Sequence, residues 1–163
     1  MHALELIHQQ HEEVSKLFKR YEKLADHDDA RRQALFEQIA DRLGAHAKIE
    51  ELYLYPALKT EDTEDDLREA VEEHLSLKRL ISDLLDMEAS DEEYDAKMKV
   101  LQEQVEHHVE EEEQDLFKAA RRLLSQEQLE DLGIQLEEEY DALMEGEPRK
   151  DVPDETEHAA PLE

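Results

Sequence analysis

The chain contains no cysteine and no tryptophan, and only three glycines and four prolines in 163 residues. Without cysteine there are no disulfides, no thiolate metal sites and no cysteine nucleophile, which fits a reducing compartment. So few glycines and prolines leave little turn chemistry for a many-stranded sheet. No apolar run approaches the roughly 20 residues that a membrane span needs. The opening "MHALELIHQQ" lacks a basic stretch followed by an apolar one, so no secretory signal is expected. A soluble, cytoplasmic protein is the expectation. Positive charge is scarce as well: 19 Lys and Arg stand against 47 Asp and Glu, a net charge of −28. Such a surface repels phosphates and anionic lipid, so neither nucleic acid nor membrane is expected as a partner, whereas cations are favoured.

What is present favours helix. Hydrophobic residues make up 39% and charged residues 40%, with Leu, Ala, Glu and Lys prominent. Apolar positions at three/four spacing mark helices over residues 3–25, 29–58, 64–89, 91–124 and 125–144. Asp26-His27-Asp28-Asp29 supplies the first turn. Thr63 is a candidate cap for the third helix, and Ser90-x-x-Glu93 and Ser125-x-x-Gln128 read as capping boxes. Pro56 predicts a kink or an early end to the second helix. The fold expected is all-α: an up-down-up-down antiparallel four-helix bundle over residues 1–124, an accessory C-terminal helix over 125–144, and an acidic tail over 145–163. Pro, charge and small residues make that tail read as disordered.

Nine histidines are unevenly placed. His11, His46, His74 and His108 fall one on each apolar stripe of the four long helices. Taken singly, an inward histidine is more often a hydrogen-bonded core residue than a ligand. Counted by helical rise, however, all four lie about 21–26 Å from the same end of the bundle, within about a turn of one another. Two of them belong to a repeat: His46-Ala-Lys-Ile-Glu50-Glu51 recurs 62 residues later as His108-Val-Glu-Glu-Glu112-Glu113, each followed by an aromatic nine residues after the histidine. Spacing i, i+4 aims His46 and Glu50 at one point, and likewise His108 and Glu112. Two carboxylates in a core are costly unless cations neutralise them. Four imidazoles and two carboxylates that can each bridge, with no thiolate, suit a pair of iron or manganese ions and, less selectively, zinc. His107 and Glu111 have the same spacing, but the repeat and the apolar stripe both select 108 and 112. Most glutamates of "VEEEEQ" read as a solvated face.

These residues resemble the hemerythrin-like, HHE cation-binding domain family over about residues 3–120. The likeness rests on Gln10-His11, on His46-x-x-x-Glu50-Glu51 followed by Tyr55-Pro56, on Glu73-His74, and on His108-x-x-x-Glu112-Glu113 followed by Leu116-Phe117. The resemblance implies a non-haem centre of two iron ions, oxo- or hydroxo-bridged, held by His11, His46, Glu50, His74, His108 and Glu112. It also implies O2, peroxide or another small ligand as partner. Oxygen-carrying members place two histidines four apart on the third helix. Here His74 stands alone, with Ala70 and Lys78 at the flanking positions, so reversible O2 carriage is not expected. Tyr53, one turn past Glu50, reads as core packing or as a phenolate ligand or hydrogen-bond donor near the metals. The expectation is a di-iron protein that binds or reacts with a small oxygen species, peroxide turnover included. A non-catalytic iron or oxygen sensor or iron reservoir and a metal-free helical interaction protein are the other two classes.

Overall fold

In a computed structural model of the chain, residues 1–24 and 28–162 are described. All regular structure among them is helical. Helix α1 is Ala3–Glu22. Helix α2 starts as Asp29–Ile49, passes through a π-helical turn at Glu50–Leu54 and ends as Tyr55–Leu58. Helix α3 is Glu64–Leu85. Helix α4 repeats the design of α2: Tyr94–Glu111, a π turn at Glu112–Leu116, then Phe117–Leu123. Helix α5 is Gln126–Met144. The expected turn at Asp26-His27 and the end of the first helix at Ala25 lie outside the described residues.

Two buried apolar clusters fix how the helices run. One joins the start of α1 (Leu4, Ile7), the end of α2 (Leu54, Leu58), the start of α3 (Leu67, Val71) and the end of α4 (Leu116, Phe117). The other joins the end of α1 (Val14, Phe18), the start of α2 (Phe36, Ile39), the end of α3 (Ile81, Leu84) and the start of α4 (Tyr94, Leu101). Starts meet ends at both levels, so successive helices are antiparallel, up-down-up-down. Arg32 ties the second level together: its guanidinium donates to Asp95 Oδ1 at 2.5 Å and to the Ala89 carbonyl at 2.8 Å. Tyr21 Oη donates to the same Asp95 oxygen at 2.6 Å. No helix among the described residues is long and apolar enough to cross a membrane.

Helix ends follow local chemistry, with exceptions. Ser125 and Gln128 form the expected reciprocal box at the start of α5. Ser90 and Glu93 do not form theirs. The chain stays in turns to Glu93, where Asp91 Oδ2 accepts from the Glu88 N–H at 2.9 Å, and α4 starts only at Tyr94. Thr63 precedes α3 but donates its hydroxyl to the Leu58 carbonyl at 2.7 Å, closing the loop instead of capping the helix. His2 caps α1: its Nδ1 accepts from the Leu4 N–H at 3.1 Å, and Glu5 returns a bond to the His2 backbone. Helix α5 packs on the outside through Leu129, Leu132 and Leu136. It crosses the start of α1 so closely that a Cβ on Gly133 would lie 2.5 Å from the Met1 carbonyl oxygen.

The tail departs from expectation. Residues Pro148–Glu155 form a 3-10 helix laid against α2 and α3. Val152 is buried within the second apolar cluster, over Gly44. Arg149 bonds Asp41 at 2.9 Å and pairs with Glu37 at 3.0 Å, while Glu155 accepts from Lys78 at 3.1 Å. Average composition suggests disorder because it cannot register one apolar anchor and two charged residues with matched partners.

Candidate metal centre

The two apolar clusters leave a polar layer between them. Into it project His11 from α1, His46 and Glu50 from α2, His74 from α3, and His108 and Glu112 from α4, all of them buried. The imidazoles form two pairs. His11 Nε2 lies 3.2 Å from His46 Nε2, and His74 Nε2 lies 3.2 Å from His108 Nε2. That is close to the separation two nitrogens take when both bind one ion at about 2.1 Å and roughly a right angle. The donor atoms of His11, His46, Glu50 and Glu112 lie within 4.8 Å of one another, and so do those of His74, His108, Glu50 and Glu112. Both sets contain both carboxylates.

The outward nitrogens are also held. His46 Nδ1 faces Gln10 Oε1 at 2.7 Å, His74 Nδ1 faces Glu51 Oε2 at 2.8 Å, and His108 Nδ1 faces Glu73 Oε1 at 2.7 Å. His11 Nδ1 is 3.8 Å from Glu113. A carboxylate or amide behind the ring fixes the tautomer with Nε2 free to face a cation. Each of these partners is a sequence neighbour of a ligand candidate: Gln10 precedes His11, Glu51 follows Glu50, Glu73 precedes His74, and Glu113 follows Glu112. Glu51 is itself gripped by the buried Lys78 Nζ, 3.0 Å from each oxygen. Lys78, four residues after His74, therefore turns away from the layer to support His74 from behind.

The aromatic residue at the layer is Tyr55, not Tyr53. Tyr55 Oη donates to Glu112 Oε2 at 2.6 Å and lies 3.2 Å from Glu50 Oε1 and 3.3 Å from His74 Nε2. Tyr53 is half-buried against the first apolar cluster. The π turn is the cause: the Tyr55 N–H bonds the Glu50 carbonyl five residues back, which brings i+5 over Glu50 where an α-helix would bring i+3 or i+4. Phe117 stands in the same relation to Glu112 and stacks near His11, with ring centroids 6.5 Å apart. Tyr55 and Phe117 are the aromatics of the repeat, and that was the signal for them. His107 and Glu111 pair at 3.0 Å on the outer face of α4, away from the layer.

Without cations the layer is electrostatically uneasy. Burial and the neighbouring Glu112 push Glu50 up to about 8. Burial also acts to raise Glu112, but hydrogen bonds with Glu50, His108 and His11 hold it well below the ordinary range. Burial lowers His11, yet hydrogen bonds to Glu112 and Glu113 carry it up to about 9. The same opposition, with Glu112 and Glu73, raises His108. Burial and the adjacent His11 charge drive His46 down to about 3. Burial, then the charges of Glu112 and Glu50, keep the Tyr55 phenol protonated. Among the described residues, the buried Glu50 Oε2 and Glu112 Oε1 meet imidazole nitrogens: His46 Nε2 stands 3.3 Å from Glu50 Oε2, and His11 Nε2 stands 3.2 Å from Glu112 Oε1. A cation would give these buried acceptors a further partner. On the second-cluster side of the imidazoles lies an enclosed apolar cavity of about 20 Å³, walled by Val14, Leu43, Leu77 and Val105.

Comparisons with known proteins agree with this geometry. The hemerythrin HHE cation-binding domain pattern matches residues 2–120. A DNA nickase from Nostoc sp. (strain PCC 7120 / SAG 25.82 / UTEX 2576) is 34% identical over 130 residues, which is 80% of this chain. The chain spans only 36% of that relative's length. A hemerythrin HHE cation-binding domain-containing protein from Mycobacterium kansasii has the same fold, with a TM-score of 0.79 over 89% of this chain and 88% of that one at 24% identity. With the family pattern matched across all four helices of the bundle, the chain belongs to the hemerythrin HHE cation-binding family.

Proposed function

We propose that the chain holds two iron ions between His11, His46, Glu50, His74, His108 and Glu112, and that the centre binds or reacts with O2 or peroxide. The observation that carries this reading is the pair of four-donor sets sharing both carboxylates. Nitrogen and carboxylate donors without thiolate fit iron. Glu50 Oε2 and Glu112 Oε1, buried against imidazole nitrogens, would gain a partner from a bound cation. Iron in this layer supplies redox chemistry and open positions for a small ligand.

The chain's own residues do the rest. Gln10, Glu51 and Glu73 hold the His46, His74 and His108 rings with Nε2 inward. Tyr55 keeps a proton on Oη and donates it in a hydrogen bond to Glu112 Oε2, steadying that carboxylate. The apolar clusters above and below exclude bulk water. The cavity beside the imidazoles, about 20 Å³, leaves room for a water-sized guest.

DNA cleavage, suggested by the name of the Nostoc relative, is the weaker reading. The match covers about a third of that protein, and a net charge of −28 opposes the phosphate backbone. A sensor or reservoir role would use the same ligands. Metal analysis together with the near-ultraviolet spectrum separates these. About two irons per chain and a band that changes with peroxide, azide or O2 are expected. A band indifferent to all three leaves the sensor or reservoir. Less than about half an equivalent of transition metal after iron-supplemented growth removes the centre altogether.

A further inference from the structure

A cation bound for the buried layer has to cross the bundle wall, and the wall between α3 and α4 carries an acidic opening. Between α3 and the second half of α4 a cavity of about 60 Å³ runs inward, lined by Asp66, Glu69, Glu73, Glu111 and Asp115 and reaching His108 and Glu112 at its inner end. Glu112 is 2% exposed, with Oε2 3.5 Å from His108 Nε2 and Oε1 3.2 Å from His11 Nε2. A carboxylate and an imidazole of the buried donor layer at the end of an acidic passage give a cation a terminus.

At the outer end stands a second donor cluster. Glu73, His107 and Glu111 place their donor atoms within 4.8 Å of one another. His107 Nε2 is 3.0 Å from Glu111 and 3.8 Å from Glu73 Oε2. The other oxygen of Glu73 is 2.7 Å from His108 Nδ1. Glu73 thus touches the outer cluster with one oxygen and a ring of the buried layer with the other. One imidazole and two carboxylates, partly exposed, suit a hydrated divalent cation of the same class as the buried donors.

Granted the buried metal centre, we infer that Glu73, His107 and Glu111 form an outer capture site for a divalent cation, which the acidic passage beside Glu111 and Glu73 then delivers to Glu112 and His108. The outer site holds the ion weakly, having three donors and open contact with water. The four-residue sets inside hold it more strongly, so the ion moves inward down an affinity gradient. The opposite wall of α4 holds the rival route: His8 bonds Glu113, whose other oxygen lies 3.8 Å from His11 Nδ1, beside a cavity of about 290 Å³ that reaches His11.

The test uses the full chain stripped of metal by chelation, mixed with Co(II) alone, whose visible absorption reports nitrogen ligation. Uptake rate and final stoichiometry are both read. His107→Ala and the double variant His107→Ala/Glu111→Gln are expected to load about ten-fold more slowly, or worse, while reaching the same final cobalt content. His8→Ala, an exposed histidine on the other wall, is expected to load at the unsubstituted rate. An unchanged rate in both His107 variants, with normal final content, overturns the capture route and leaves the buried centre standing. Equal slowing in His8→Ala also overturns it, since general surface charge would then explain the effect. No cobalt uptake by the unsubstituted chain overturns the buried centre and the route together.

Discussion

At the scale of single residues, the sequence brought four histidines to one depth but did not show what stands behind them. His11, His46, His74 and His108 were legible because helical rise brings one from each helix to a common depth, and the structure sets their Nε2 atoms in two pairs 3.2 Å apart. Tyr55 was misjudged for Tyr53 because a regular α-helix was assumed through Glu50–Leu54, where the chain makes a π turn. Two contrasts follow. Replacing His108 with Ala removes a buried nitrogen donor and should abolish binding at its half of the centre. His107→Ala should reach the same final metal content as the unsubstituted chain, by metal analysis after prolonged loading. Equal losses would mean that the wrong face of α4 has been assigned. Tyr55→Phe removes the donor to Glu112 Oε2 and should lower metal affinity about ten-fold in chelator competition, the usual effect of losing a partner behind a ligand. Tyr53→Phe should leave affinity unchanged. A reversed order would put Tyr53, not Tyr55, at the layer.

At the scale of elements, the four long helices and α5 were readable from three/four spacing, since each buries one face against its neighbours. Boundaries were less readable where tertiary contacts outbid local chemistry. Asp91, not Ser90, organises the turn before α4, and Thr63 closes a loop rather than capping α3. The tail was misread because its anchoring is a matter of particular partners: Val152 over Gly44, Arg149 on Asp41 and Glu37, Glu155 on Lys78. Val152→Ala should therefore destabilise the whole domain by about 1–3 kcal/mol in chemical denaturation. A change within error would show that the segment contributes no packing. Helix α5 gives a second handle. With 2.5 Å between a Cβ at 133 and the Met1 carbonyl oxygen, Gly133→Ala should cost about 1–3 kcal/mol by forcing α5 off the start of α1. Its helix propensity alone would predict stabilisation, so the sign of the measured change decides between contact and propensity.

At the scale of the whole molecule, a polar layer sits between two apolar clusters, and cations bound there would be part of what holds it. Chelation should lower the melting temperature by about 5–10 °C if free metal stands near 100 times its dissociation constant. An unchanged melting temperature would mean that Glu50 and Glu112 are content without metal. The same architecture sets the response to oxygen. Each half of the layer offers two imidazoles and a share of two carboxylates, and nothing on α3 supplies a further nitrogen. Lys78 is turned outward onto Glu51 and Glu155. Ala70, one turn before His74, lies in the wall of the passage that reaches His108 and Glu112. A centre with fewer protein donors is more open to a small ligand and loses its metal more easily. The reduced, iron-loaded chain should therefore react with peroxide but should not return to its starting spectrum through repeated cycles of O2 addition and removal. Ala70→His places an imidazole on the side facing His108, so it should recover a larger share of the reduced spectrum in each cycle. Lys78→His should not, because that position faces Glu51, and losing the amine there weakens the support behind His74. Full recovery by the unsubstituted chain would show that two imidazoles per ion suffice for reversible O2 binding, and recovery in Lys78→His but not in Ala70→His would place the open side of the centre toward the opposite end of α3.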